Sequence, residues 1–138
     1  MPLGGAVNPD EILEGVRVCA MEALAVSALE IVPEARLMAD LGADSLDLLD
    51  LAFQLERRFG IRLSMKDLEN RMKAELGDAP VEVNGIYTPE AMARIRRVMT
   101  EIPAEELPDG LRAADLPKRF RVSTLIRWVE QALEAQHA

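Results

Sequence analysis

The chain has 138 residues, a net charge of −8 and a single cysteine. This length suits one domain with its own hydrophobic core, so we expect a single domain over residues 1–138. One cysteine excludes an internal disulfide, and the small apolar neighbours of Cys19 predict a buried side chain rather than a redox or metal site. No apolar run is long enough to span a membrane, and the N-terminus lacks the basic flank of a signal peptide, so we expect a cytoplasmic protein.

The negative charge is concentrated in the first half of the chain. Residues 1–60 contain 11 acidic and four basic side chains, whereas residues 61–138 contain 13 and 12. An acidic surface repels nucleic acid and attracts basic patches on other proteins. Composition alone would explain the excess as a solubility charge, so a role in steering partners depends on a motif within the acidic half.

A first helix is predicted to follow Asn8, with proline at its first position and acidic residues in its first turn. Apolar side chains recur there at helical spacing to about residue 25: Ile12, Leu13, Val16, Cys19, Ala20 and Ala23. Residues 26–43 then form a long loop, which is unusual in a compact domain and indicates a functional segment. The expected apolar anchors of this loop are Leu29, Ile31, Leu37 and Leu41.

The second predicted helix begins at Ser45, directly after the loop. Ser45 lies in the acidic octet Asp40-Leu-Gly-Ala-Asp-Ser-Leu-Asp47. Unsatisfied N–H groups and the positive helix end would lie beside the Ser45 hydroxyl, which favours a phosphate on that oxygen. No histidine lies nearby in the sequence, and the octet lacks the second glycine of the Gly-x-Ser-x-Gly motif of hydrolases. The aspartates lack EF-hand spacing, which makes a divalent-ion site the less favoured interpretation. Ser45 is therefore predicted to be an attachment point rather than a nucleophile.

The second helix is predicted to run from Ser45 to Phe59 and to stop at Gly60. A broad apolar stripe along it suits a bundle core and consists of Leu48, Leu51, Ala52, Leu55 and Phe59. A narrower stripe of Leu46, Leu49 and Phe53 runs beside Asp47 and Asp50. The residues themselves leave open whether Leu49 and Phe53 extend the core or form a docking surface.

Arg57 and Arg58 follow Glu56 at the end of this helix. They complement the negative helix terminus, by about 0.3–1 kcal/mol for each cation. The alternative is that the pair selects particular partners, and the sequence does not separate the two interpretations.

Residues 64–119 are expected to be a helical insertion. One helix is predicted from Ser64 to Gly77, then a loop or small hairpin around Asn84-Gly85, and then a helix that opens after Thr88 and ends at Pro103. The apolar face of this last helix comprises Met92, Ile95, Val98, Met99 and Ile102. Its opposite side carries Arg94, Arg96 and Arg97, which we interpret as a solvated face rather than a phosphate site. Ser123 is expected to cap the final helix, and His137 to lie beyond it in a frayed tail.

The segment Gly42-Ala-Asp44-Ser45-Leu46-Asp47 and the helix after it resemble the phosphopantetheine attachment motif of acyl carrier proteins. The resemblance covers residues 9–63 and, more loosely, 120–134, with 64–119 as an enlarged segment before the last helix. It implies an all-α fold: an acyl-carrier-like four-helix bundle with additional helices inserted between the second and last bundle helices. It also implies 4′-phosphopantetheine attached covalently to Ser45, with Asp44 and Leu46 as motif neighbours.

The same resemblance implies a carrier rather than an enzyme, which holds fatty acyl intermediates as thioesters. The enlarged segment is similar to that of carriers specialised for very-long-chain or modified acyl groups. The acidic docking residues that it implies are Asp47, Asp50 and Glu56, and it favours a docking role for Leu46. Leu49 and Phe53 are candidate docking residues for which the core interpretation stays open. Expected partners are a phosphopantetheinyl transferase and acyl-transferring or chain-modifying enzymes with basic docking patches, and the carrier itself is expected to be a monomer. The alternatives are a carrier of amino acids or polyketides, and an unmodified helical interaction module.

Overall fold

The computed structural model describes residues 8–63, 66, 70, 74, 77 and 79–137. The expected helix from Ser64 to Gly77 therefore lies mostly outside the described residues, although Lys66, Asn70 and Ala74 are in helical conformation. The described residues form a helical bundle with one two-stranded hairpin, which confirms the predicted fold class. None of the helices in the described part of the chain has the length and apolar composition needed to cross a bilayer.

The first two helices begin and end where the sequence predicts. Helix α1 spans Pro9–Leu24, and the Asn8 side chain accepts a hydrogen bond from the Asp10 amide at 2.7 Å. Helix α2 spans Ser45–Phe59 and ends at Gly60, whose φ of 66° is accessible to glycine at little cost. Asn8 and Gly60 therefore mark the start of α1 and the end of α2, as the sequence predicts.

The loop between α1 and α2 contains a 3-10 turn at Ala28–Glu30, and this turn corrects one expected anchor. Leu29 is 92% exposed, whereas Ile31 is completely buried. Residues three apart share a face in 3-10 geometry, so Leu29, two residues before Ile31, does not share the buried face of Ile31. Three of the predicted loop anchors are buried as expected: Ile31, Leu37 and Leu41.

From residue 79 to the last helix the structure has a hairpin, a helix and two further 3-10 turns. Strands β1 (Glu82–Val83) and β2 (Ile86–Tyr87) pair antiparallel around Asn84-Gly85, where both φ angles are positive. Helix α3 spans Pro89–Val98, and the Thr88 hydroxyl accepts from the Ala91 amide. The two 3-10 turns are Ala104–Glu106 and Ala113–Arg119.

Two boundaries in the second half of the chain differ from the sequence prediction. Helix α3 ends at Val98 rather than at Pro103, because the chain turns at Met99 and the Arg127 guanidinium donates to the Val98 carbonyl at 3.0 Å. Helix α4 spans Val122–His137, so Ser123 is not its cap and His137 is its last residue. The amides of Val122 and Ser123 donate to carbonyls of the α1–α2 loop, and the Thr124 hydroxyl accepts from the Arg121 amide at 3.0 Å. These bonds satisfy the first amides of α4 without Ser123.

One continuous core joins the described elements. Helix α1 packs against α2 and α4, and side chains of the inserted segment belong to the same buried cluster. The completely buried members with the largest side chains are Ile31, Leu37, Leu51, Leu55, Met92 and Leu107. Gly15 allows the close approach of α1 and α2, because a Cβ there would lie 2.3 Å from Cζ of Phe59. The helix that begins at Ser45 therefore packs into the same core as the rest of the described chain.

Candidate functional site

Ser45 is the first residue of α2, and its side chain is exposed. The Asp44 carboxylate accepts a hydrogen bond from the Asp47 amide at 2.8 Å, and the Asp47 carboxylate accepts from the Asp44 amide at 3.0 Å. This reciprocal capping box fixes the start of the helix. The first intrahelical bond joins the Leu48 amide to the Asp44 carbonyl, so the amides of Ser45 and Leu46 precede the ladder at the positive end of the helix.

A tightly hydrogen-bonded turn holds the backbone that leads to Ser45. The Arg36 amide donates to the Asp40 carboxylate at 2.8 Å, and the Ala43 amide donates to the Leu37 carbonyl at 2.9 Å. Leu37, Leu41 and Ala43 anchor the turn in the core, and Gly42 takes a φ of 75° at the bend. The hydroxyl is therefore exposed, although the backbone on both sides of it is fixed.

The narrower stripe of α2 faces solvent rather than the core. Leu46, Leu49 and Phe53 are 74%, 62% and 56% exposed, whereas Leu51 and Leu55 on the broad stripe are completely buried. The structure thus rules out the core interpretation for Leu49 and Phe53. Asp50 is exposed beside them, and its carboxylate accepts from the Gln54 side chain at 3.2 Å.

Glu56 differs from the other acidic residues expected at this surface. Its carboxylate accepts a hydrogen bond from the Leu63 amide at 2.8 Å, and the side chain is half-buried. Since Leu63 is itself buried, Glu56 holds the segment that follows α2 against the bundle. The Glu56 carboxylate therefore has a structural role, which is its hydrogen bond to the Leu63 amide.

Sequence reasoning missed a charged cluster that ties the inserted segment to the loop before Ser45. The Glu106 carboxylate accepts from Arg121 at 3.0 Å and from Arg36 at 3.5 Å, and the Glu106 carbonyl accepts from Arg119. Beside it, the Leu37 amide donates to the Phe120 carbonyl. Glu106 and Arg36 are 70 residues apart in sequence, so no local pattern links them.

The remaining candidates for chemistry are accounted for by packing. Cys19 is buried in α1, and burial raises the pKa of its thiol; the Arg58 guanidinium opposes this rise and the Glu22 carboxylate adds to it. In the inserted segment, Arg96 donates to the Leu107 carbonyl at 2.8 Å and forms an ion pair with Asp109. These contacts join α3 to the turn that follows Glu106. Among the residues that the structure describes, no group of three or more acidic, histidine or cysteine side chains is arranged to bind a metal ion.

The residues around Ser45 fit a phosphate-linked prosthetic group. An exposed hydroxyl at the first position of a 15-residue helix leaves room for a bulky substituent, and the adjacent amides and helix end favour a negative charge on it. The side chain at the next position, Leu46, projects into solvent and offers apolar surface beside the attachment oxygen.

Comparison with known proteins agrees with this geometry. The family profile described as the phosphopantetheine attachment site matches residues 14–78. The acyl carrier protein of Thermotoga maritima is 43% identical over 60 residues, which cover 44% of this chain and 74% of the relative. The acyl carrier protein of Nitratidesulfovibrio vulgaris strain DP4 is 42% identical over 62 residues, which cover 45% of this chain and 82% of the relative. That of Solidesulfovibrio magneticus is 38% identical over 64 residues, or 46% of this chain and 82% of the relative.

The profile match covers α1 from Glu14 onward, the loop, α2 and the segment directly after it, which are the elements that build the surroundings of Ser45. The prosthetic group of the matched domain is phosphopantetheine, in agreement with the expectation from the sequence. The chain belongs to the acyl carrier protein family, as a carrier and not as an enzyme.

Proposed function

We propose that Ser45 is the residue that carries 4′-phosphopantetheine in this chain, through a phosphodiester at its Oγ. When bound, the group supplies a terminal thiol to which an acyl chain is attached as a thioester. The observation that carries the proposal is the exposed Ser45 hydroxyl at the start of α2, within the segment that matches the attachment domain. Asp44 contributes by fixing the helix start, and Leu46 by lining the exposed surface next to the oxygen.

In this proposal a separate transferase performs the attachment, because the described residues beside Ser45 include no histidine and no carboxylate outside the capping box. The nearest acidic side chains, Asp44 and Asp47, are each bound to the other's amide in the capping box. The only histidine of the chain is His137 in the last helix. A phosphopantetheinyl transferase is therefore the first partner that we propose.

The surface offered to partner enzymes, in this proposal, is the outward side of α2. Leu49 and Phe53 provide exposed apolar area, and Asp47 and Asp50 provide negative charge that steers the encounter with basic patches. Glu56 adds to the field of the helix while its carboxylate holds Leu63. A docking surface made of a few side chains on one helix binds weakly, which suits a carrier that has to leave one enzyme before it meets the next.

The cargo that we propose is a fatty acyl chain, with very-long-chain or modified groups as the specialised case. Support comes from the inserted segment, which adds Met92, Ile95 and Met99 to the same core as α1, α2 and α4. Methionine side chains adapt their shape readily, and transfer of an acyl chain from water into the core is favourable by about 25 cal/mol for each Å² buried. An aminoacyl or polyketide cargo is the alternative within the carrier class, and an unmodified helical interaction module is the alternative outside it.

The attachment proposal is tested by co-expression with a broad-specificity phosphopantetheinyl transferase and measurement of the intact mass. We expect one 4′-phosphopantetheinyl group on the wild-type chain and none on Ser45→Ala. Ser27→Ala is the matched control, because Ser27 is also an exposed serine at the start of a helical turn. An unmodified wild-type chain, or a modified Ser45→Ala chain, would contradict the proposal.

The cargo proposal is tested by NMR of methyl-labelled methionine in the holo chain loaded with acyl groups of increasing length. We expect the resonances of Met92 and Met99 to shift progressively with chain length, because both side chains are buried in the core. Met21 on α1 is 38% exposed and serves as the internal control. Equal shifts of Met92 and Met99 for short and very long chains would contradict the specialised cargo.

A further inference from the structure

The outward side of α2 changes the sign of its charge along its length. At 100° per residue, Arg57 lies one turn beyond Phe53 on the side of the helix that also carries Leu46 and Leu49. Asp50 is exposed at the middle of the same side, and Arg57 is exposed at its end. We refer to Leu46, Leu49, Asp50, Phe53 and Arg57 as the two-signed face.

The two arginines at the end of α2 occupy different places. The Arg57 guanidinium carbon lies 5.7 Å from the centre of the Phe53 ring, a cation–π distance, so the cation is held on the two-signed face. Arg58 lies on the other side of the helix, where its Nε would be 3.0 Å from a Cβ built on Gly15 of α1. Both arginines are exposed near the negative helix terminus, but only Arg57 lies on the two-signed face.

From this arrangement we infer that the two-signed face docks partner enzymes that are basic opposite Asp50, apolar in the middle and acidic opposite Arg57. The inference rests on the proposed function, which supplies the kind of partner. A docking patch that is basic along its whole length would place one of its cations against Arg57, and like charges brought together in an interface are repelled. Arg57 therefore acts as a specificity residue, both by attracting an acidic group and by opposing a basic one.

A second copy of the chain is the alternative occupant of this face. A two-fold axis would place Asp50 of each copy near Arg57 of the other, so charge alone permits self-association. Three exposed apolar side chains on one helix are far fewer than the roughly 20–30 residues that each side contributes to a stable interface. The size of the face therefore favours a transient contact with an enzyme.

The probe for the test is a broad-specificity acyl-carrier ligase with a wholly basic docking patch, which acylates the holo chain. We expect Arg57→Glu to lower KM by about two- to fivefold with kcat unchanged, in line with the strength of exposed ion pairs. Arg58→Glu is the matched control, since it makes the same change of net charge and the same change at the helix terminus. Circular dichroism and thermal unfolding of both variants report whether each retains the fold.

A charge exchange on the ligase completes the test. Basic residues of its patch are replaced by Glu one at a time, and we expect one replacement to lower KM for the wild-type chain and to raise it for Arg57→Glu. Equal KM values for Arg57→Glu and Arg58→Glu, or the absence of such a coupled ligase residue, would overturn the inference. A dimer in light scattering that Arg57→Glu dissociates would also overturn it, in favour of self-association. Failure of the ligase to acylate both the wild-type holo chain and Arg57→Glu would count against the proposed function instead.

Discussion

Glu106 joins three parts of the chain, and its removal gives the sharpest prediction for stability. Its carboxylate binds Arg121 just before α4 and Arg36 in the loop before Ser45. The Glu106 and Arg121 side chains are only 22% and 16% exposed, whereas Arg36 is 46% exposed. Replacement by glutamine keeps the shape of the side chain and removes the charge.

The magnitude follows from the burial of each pair. A hydrogen bond between charged groups contributes about 1.5–3 kcal/mol, and exposed pairs contribute about 0–1 kcal/mol. Partial exposure reduces the Arg121 contribution, and the longer contact to Arg36 adds little. We therefore expect Glu106→Gln to lower the free energy of unfolding by about 1–2 kcal/mol. For a domain of this size that corresponds to a fall in Tm of roughly 3–8 °C.

Thermal and urea unfolding followed by circular dichroism measure this change. Glu105→Gln is the matched control, because Glu105 lies in the same 3-10 turn and is exposed. We expect Glu105→Gln to change the free energy of unfolding by less than about 0.5 kcal/mol. Equal effects of the two substitutions would refute the assignment of Glu106 as the link between the inserted segment and the loop before Ser45.

Three further predictions follow from burial and backbone geometry. Leu51→Ala should lower the free energy of unfolding by about 2–5 kcal/mol, and Leu49→Ala by less than about 0.5 kcal/mol, because only Leu51 is buried. Similar losses for both in urea unfolding would contradict the assignment of one stripe to the core and the other to the surface. Gly42→Ala should cost about 1–2 kcal/mol through its positive φ alone, since a Cβ there meets no neighbour; an unchanged Tm would argue against that bend. Iodoacetamide should alkylate Cys19 slowly in the native chain at mildly alkaline pH and rapidly in denaturant, because burial raises the pKa of the thiol and restricts access; fast native labelling, followed by mass, would contradict its burial.

Local chemistry made the attachment region predictable. Asn8 marks the start of α1 and glycine at position 60 the end of α2 within the sequence, and helical spacing identifies the broad stripe of α2 as core. The octet around Ser45 carries its own signal, because a hydroxyl at a capped helix start without a nearby histidine suits attachment better than catalysis.

Tertiary contacts decided what the sequence left open or predicted wrongly. Leu49 and Phe53 were equally compatible with core and surface until the packing of α1 and α4 filled the other side of α2. Helix α3 ends early because Arg127, distant in sequence, binds the Val98 carbonyl. Leu29 has the composition of an anchor, but the register of its 3-10 turn turns it outward. The packing of α2 and the end of α3 both involve residues distant along the chain, so no local pattern encodes them.

The most direct test of the central claim is fragment mass spectrometry of the chain purified from the cells that make it. We predict a 4′-phosphopantetheinyl group on the peptide that contains Ser45, localised to that residue, with free or acylated thiol at its end. Ser27 and Ser123 should be unmodified in the same sample. A population in which Ser45 is entirely unmodified, or in which the group lies on another residue, would contradict the account of Ser45 as the attachment residue of this carrier.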